Sequence, residues 1–270
     1  MKKSLFKLIL GMFATVMLFS SCLGDGSNET GNSGAFAYIT TDQTGIKYAV
    51  VDTYRITSTA IQGLEAGSCY LIDYRFSFEN QSSSGIYQNA TMSSQPVLLV
   101  STMGAVGTAT TVTETFNPYD FQPYAGSFDS PYGYNLGVAY IAKLKETDSP
   151  RAYFFYDAKK QFEMTNDGVT QEDVKENQII IDVRFAHTNG ADGSQIKAGR
   201  ITVGNLYQIR EAYKRSDKFK EGSGEYTDVA IKFRYNQLQS DDKTVKEDVY
   251  VGSWTPAPYS YYCFRYHKAE

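Results

Sequence analysis

The chain has 270 residues, with 26 Lys and Arg against 30 Asp and Glu, a formal net charge of −4. That mildly acidic balance argues against nucleic acid and against a polybasic membrane patch. With 22 Tyr and 16 Phe beside a single Trp, the composition favours the half-buried, pleated surface of strands, and an all-β fold is the economical expectation.

Lys2, Lys3 and Lys7 open the chain, and Leu8 to Phe19 form an apolar run of twelve residues. Ser20 and Ser21 follow, then Cys22. A charged start, a short apolar stretch and small residues are the marks of a secretory signal peptide. The run is too short to span a bilayer, which needs about 20 apolar residues. Phe19-Ser20-Ser21-Cys22 resembles the lipobox of bacterial lipoproteins, which implies cleavage before Cys22 and acylation of it. Two or more acyl chains make such anchoring stable. Removing residues 1–21 takes away three lysines and no acid, so the net charge moves to −7. The expected site is the outer membrane, on its periplasmic face or at the cell surface. Residues 22–34, rich in Gly, Ser and Asn, read as a flexible tether that spans roughly 20 Å as a random coil.

Strand patterns with turn signals follow. Ala35 to Thr41 and Ile46 to Asp52 flank Asp42-Gln43-Thr44-Gly45, a hairpin pattern. From Ser68 to Glu79, Tyr70, Ile72, Tyr74, Phe76 and Phe78 alternate with Cys69, Leu71, Asp73 and Arg75, the period of a half-buried strand. Ile86 to Met92 and Val97 to Ser101 complete about five strands, the size of a small OB-type barrel, assigned to residues 35–105. Phe116 to Tyr134 holds three prolines and reads as a connector. Seven more strand patterns follow: Leu136–Leu144, Arg151–Tyr156, Gln178–His187, Gly199–Gly204, Thr227–Tyr235, Val245–Trp254 and Tyr259–His267. They predict a β-sandwich over residues 106–270. Leu206, Ile209 and Tyr213 predict one helix within Asn205 to Lys220, and Thr170 to Glu176 a second short turn. The fold expected is a small OB-type barrel followed by a β-sandwich, with at most one or two short helices.

No phosphate-binding, dinucleotide, nucleophile-elbow or zinc-protease motif is present. No catalytic residue, metal or cofactor is therefore assigned, and the chain reads as non-enzymatic. His187 and His267 each close a strand pattern, where a solvated role is the ordinary one. Asn189-Gly190-Ala191-Asp192-Gly193 lacks the ligand spacing of a calcium loop. Asp182 sits opposite Ile181 and Val183 in the alternation, which reads as solvent-facing. Cys69 and Cys263 leave two alternatives open: a disulfide, which an exported chain permits, or ordinary packing. Tyr119, Tyr124, Tyr132 and Tyr134 crowd the connector. Trp254, Tyr259 and Tyr261 crowd the last hairpin and form the candidate contact to a glycan or protein partner.

The lipobox with Leu23-Gly24-Asp25, AYITTDQTGIKYAV at Ala37–Val50, GLEAGSCYLIDYRFSFE at Gly63–Glu79 and VAIKFRYNQLQSDDKTVKEDVYV at Val229–Val251 together resemble the NigD-like lipoproteins of Bacteroides and relatives. That family takes its name from a bacteriocin-associated gene and has no established catalytic site, so Cys22 is the one functional residue the resemblance carries over. The function it implies is an envelope lipoprotein acting as an interaction module, with a bacteriocin association. The other reading is a glycan-binding accessory lipoprotein of a polysaccharide-utilisation system.

Overall fold

A computed structural model describes residues 28–109, 112, 115–125, 132–165, 170–188, 195–256 and 262–268. Cys22, Tyr259, Tyr261, the signal pattern, the 189–193 loop and the side chain of Tyr124 lie outside the described residues. The fold is all-β, with two short α-helices among the described residues, and no described helix is long and apolar enough to cross a membrane. The chain divides into two units, Met1–Leu99 and Val100–Glu270, six residues earlier than the boundary expected from the strand patterns.

The first unit is built on β1 (Glu29–Thr41), β2 (Lys47–Val51), β3 (Tyr54–Ile56) and β4 (Cys69–Ser77), with short β5 (Thr91–Met92) and β6 (Val97–Leu98). They make one sheet in the order β3-β2-β1-β4-β5, with β6 also on β4. Helix α1 (Thr59–Gln62) is capped by Ser58, whose hydroxyl accepts from Ile61 N, and it plugs Ile61 into the core. Alternation on β4 decides the face: Tyr70, Ile72, Tyr74 and Phe76 all pack into the core with Ala37, Ile39, Ala49 and Val51.

Two expectations for this unit are corrected. The sheet does not close into a barrel. Ile86–Met92 forms a continuous strand ladder only at its end; beside β3 it makes a few bonds, Tyr87 N to Arg55 O and Thr57 N to Tyr87 O at 2.8 Å and Ala90 N to Thr57 O at 3.1 Å. The tether is also shorter than the 22–34 segment suggests, because Glu29 to Asn32 already pair with Ser77 to Tyr74. Gly31 permits this pairing, since a Cβ there would fall 2.4 Å from Tyr74 O. A bulge at Ser33-Gly34, with φ of +64° at Gly34, is held by Asp73: its Oδ1 accepts from Ser33 Oγ and Gly34 N, and its Oδ2 from Ser94 Oγ, each at 2.6 Å. Those bonds hold the Asp73 carboxyl below the usual carboxylate range. Composition marked this stretch as loop because Gly, Ser and Asn are also bulge residues.

The second unit is a sandwich. One sheet has β10 (Asp120–Ala125), β11 (Asn135–Leu144), β16 (Ile196–Asn205) and β7 (Ser101–Met103), in that order. The other follows β18 (Val245–Val251), β17 (Tyr226–Leu238), β15 (Gln178–Ala186), β12 (Arg151–Tyr156) and β8 (Ala105–Val106). To it β19 (Tyr262–His267) adds on β17 and β9 (Thr115–Phe116) on β15. Leu136, Val138, Tyr140 and Phe121 of the first sheet share a core with Phe154, Ile179, Ile181, Val183, Phe185 and Phe233 of the second. The supposed connector therefore supplies a strand. Its Pro123 is tolerated because β10 is an edge strand, and Phe121 is fully buried. The predicted turn at Thr170–Glu176 is instead β14 (Gln171–Asp173), paired with β13 (Phe162–Met164) in a small hairpin. Helix α2 (Tyr207–Lys214) stands where the 3, 4 spacing placed it, with Leu206, Ile209 and Tyr213 fully buried. It stops short of Lys220 because the Ser216 hydroxyl bonds Tyr213 O at 2.7 Å and the chain turns.

Candidate functional site

The polar residues singled out in the sequence prove to be spent on architecture. Asp182 lies on the face opposite Ile181, as the alternation requires, yet it is 3% exposed. The hairpin β13–β14 and the residues leading into it cover that face, and Arg234 from β17 meets Asp182 there through two parallel bonds, Nε–Oδ1 at 2.7 Å and Nη2–Oδ2 at 2.9 Å. Arg234 also donates to Lys160 O at 3.1 Å. Burial works to lower the Arg234 pKa, but the Asp182 carboxylate outweighs it, and the guanidinium is held above its ordinary value.

His187 is likewise buried and not solvated. Its Nδ1 lies 2.6 Å from Asp148 Oδ2, while Asp148 Oδ1 accepts from Thr188 N and Oγ1 at 3.1 Å. The Phe116 ring packs 4.6 Å from the imidazole. Burial would raise the Asp148 carboxyl, but the bonds from His187 and Thr188 bring it below its usual value. His267, by contrast, is exposed at the end of β19.

Trp254 is not a free platform. Its indole N–H donates to Glu163 Oε2, and Lys232, paired with Glu163 Oε1 at 2.6 Å, sits 4.6 Å over the ring. The acids of the Asp241–Asp242 turn are used in the same way. Asp241 takes Lys243 N, Thr244 N and the Thr244 hydroxyl, which brings its pKa down to about 2, and Asp242 binds Lys143 and the Tyr119 hydroxyl. Cys69 and Cys263 are not in a disulfide; they lie on strands of different units. Burial pushes the Cys69 thiol up to about 12, which makes it inert packing. Among the described residues no group of three or more His, Cys, Asp or Glu is placed to hold a metal.

Among the described residues, the outer face of α2 carries a hollow open to a ligand. Asn205 starts the helix, its Oδ1 accepting from Tyr207 N at 3.1 Å while its Nδ2 donates to Gly133 O and Asn135 Oδ1. With Leu206, Ile209 and Tyr213 turned inward, the helical period turns Tyr207, Gln208, Glu211 and Arg215 outward. These four and Val106 line a hollow of about 340 Å³. Tyr207 is 49% exposed and Val106 57%, large for apolar groups lining one concavity.

Residues beside the hollow are held by ring and ion contacts. The Tyr134 ring, on a residue at φ +61°, lies 5.5 Å from Tyr207. The Arg210 guanidinium is held between the rings of Tyr134, at 4.9 Å, and Tyr266, at 4.0 Å. It donates to Glu211 Oε1 at 2.7 Å and to Arg265 O at 3.0 Å, and its Nε is buried with no bonding partner among the described residues. The hollow thus presents the Tyr207 ring, the Gln208 amide, the Arg215 guanidinium and the Glu211 carboxylate, the last paired with Arg210. It is suited to holding a partner with both apolar and hydroxyl or charged groups. The pattern that predicted α2 also implied its outward face, but Val106 comes from a distant segment and carries no local signal.

No family model and no curated protein matches this sequence. Solved structures do match its fold. A protein of unknown function from Bacteroides vulgatus is 15% identical, covering 85% of this chain and 92% of that one, with a TM-score of 0.50. A protein of Bacteroides fragilis provisionally described as a lipoprotein is 8% identical over 80% of this chain and 93% of its own, also with a TM-score of 0.50. At these identities the likeness establishes a shared all-β fold.

Proposed function

We propose that this chain is a lipid-anchored envelope lipoprotein that works as a non-catalytic binding module, with the hollow on α2 as its contact surface. The observation that carries the reading is the exposed Tyr207 and Val106 beside Gln208, Glu211 and Arg215, while Asp182, His187, Trp254 and Asp242 are committed to internal pairs. The signal pattern ending at Cys22 supports the anchor, and so does the fold shared with the Bacteroides fragilis protein described provisionally as a lipoprotein. The finer resemblance to NigD-like lipoproteins is supported by the strand path β3-β2-β1-β4-β5 with α1 ahead of β4, an OB-type order without closure. On this reading the chain occupies the outer membrane, and its partner belongs to a bacteriocin-related system.

A glycan is the second reading, favoured by the paired rings of Tyr134 and Tyr207 next to hydrogen-bonding side chains. Sugars stack their apolar faces on such rings and spend their hydroxyls on the rim.

In-cell photo-crosslinking from position 208 tests the module, with a glycan array probed by the chain lacking residues 1–21 run in parallel. A discrete crosslinked species or a bound glycan, lost on Tyr207→Ala, is expected. Neither signal, or one indifferent to Tyr207, would remove the reading.

A further inference from the structure

The shortened tether bears on a second surface, in the first unit. Cys22 and Asn28 are six residues apart, so a chain anchored at Cys22 holds Asn28 within about 20 Å of the lipid even when fully extended. Asn28 is not a remote point. Its carbonyl accepts from Phe78 N at 2.7 Å, and its side-chain amide donates to Glu79. The chain therefore leaves the sheet directly beside Phe78.

Phe78 is 42% exposed and is the outermost ring of a cluster. It packs edge-on against Phe76 at 5.3 Å, Tyr87 at 5.6 Å and Tyr54 at 6.0 Å. Phe76 is buried beneath them, while Tyr54 and Tyr87 are half-buried. The cluster lies along the seam where β3 and Thr57 meet the 86–90 segment through Tyr87 and through Ala90 N, which donates to Thr57 O at 3.1 Å, without a continuous strand ladder.

We infer that the Tyr54–Phe78–Tyr87 cluster is a membrane-facing surface, seated at the boundary of headgroups and acyl chains of the bilayer that holds Cys22. The inference rests on Cys22 being lipidated. Given that anchor, the bilayer is the surface the short tether holds next to these rings, at a high effective concentration. Tyr and Phe rings with a polar fringe are the side chains that settle at that depth. The fringe is present in Glu79, Asn80 and Arg55. A surface too small to hold a membrane by itself suffices here, since the lipid anchor provides the retention and the rings set the orientation.

The test uses the processed, lipidated chain reconstituted into phosphatidylcholine vesicles with brominated acyl chains. Trp254→Phe removes the single native indole, and Phe78→Trp then places one in the cluster. The expected result is a blue-shifted emission that loses most of its intensity to the bromines. Leu98→Trp, an exposed position (54%) opposite Tyr70 at the far end of β4, is expected to keep water-like, unquenched emission. Glu79→Trp repeats the readout without disturbing the packing of Phe78. A chain that floats with the vesicles while the indole at 78 and at 79 stays unquenched would overturn the docking and leave the anchor standing. A processed chain that does not float would overturn both.

Discussion

Asp182 and Arg234 face each other across neighbouring parallel strands and close a bidentate ion pair, 2.7 and 2.9 Å, beneath a two-stranded hairpin. The register places them exactly opposite, β15 to β17. With both groups almost fully buried, removing either alone leaves a buried charge without its bidentate partner, its other counter-ion (Arg184 for Asp182, Asp248 for Arg234) standing 3.8 Å away. Asp182→Asn or Arg234→Met should each destabilise the second unit by about 3–5 kcal/mol. The double change Asp182→Leu with Arg234→Met should recover most of that loss. Chemical denaturation of the three variants measures it, and single losses that simply add would contradict the pairing.

The Asp148–His187 contact makes part of the acid stability depend on the Asp148 carboxylate. Its folded pKa lies below the ordinary value of 3.8, so its contribution is complete above that value. It is lost as pH falls through the lower, folded pKa. Asp148→Asn should therefore be less stable than the parent at neutral pH, and the two stability curves should converge at the acid end. A loss that stays constant over the whole range would mean that the carboxylate is not held down by these bonds.

Cys69 should behave as a buried apolar group. With its thiol pushed up to about 12, a maleimide or disulfide reagent at neutral pH should label it only after denaturation. Rapid labelling of the native chain at Cys69 would show that the first unit opens far more readily than its packed core implies.

Gly31 reports on where the folded part begins. Because its Cβ site lies 2.4 Å from Tyr74 O, Gly31→Ala must push β1 and β4 apart and should cost about 1–3 kcal/mol. The same substitution at Gly24, within the stretch the sequence reads as tether, should cost nothing measurable. Equal, negligible effects at both positions would return residues 29–34 to the tether.

These cases also mark what could be read from the chain beforehand. Period-two alternation located β4 and β15, and the 3, 4 spacing of Leu206, Ile209 and Tyr213 located α2. Alternation fixes which way a side chain points, not what covers it. Asp182 looked solvent-facing because its cover is a hairpin of three-residue strands, Phe162–Met164 and Gln171–Asp173, too short to show a period. His187 looked solvated because its partner Asp148 is 39 positions away. The β10 strand was hidden by Pro123, which an edge position excuses. The hollow on α2 was half legible: the helix was in the pattern, while Val106 reaches it through tertiary structure alone.

The anchor at Cys22 underlies both the binding-module reading and the membrane-facing cluster, and metabolic labelling with an alkyne-bearing fatty acid tests it most directly. The account predicts that the parent chain takes up the label and enters the detergent phase on phase separation, whereas Cys22→Ser remains unlabelled and in the aqueous phase. A parent chain without label, or a Cys22→Ser chain that keeps it, would contradict the account.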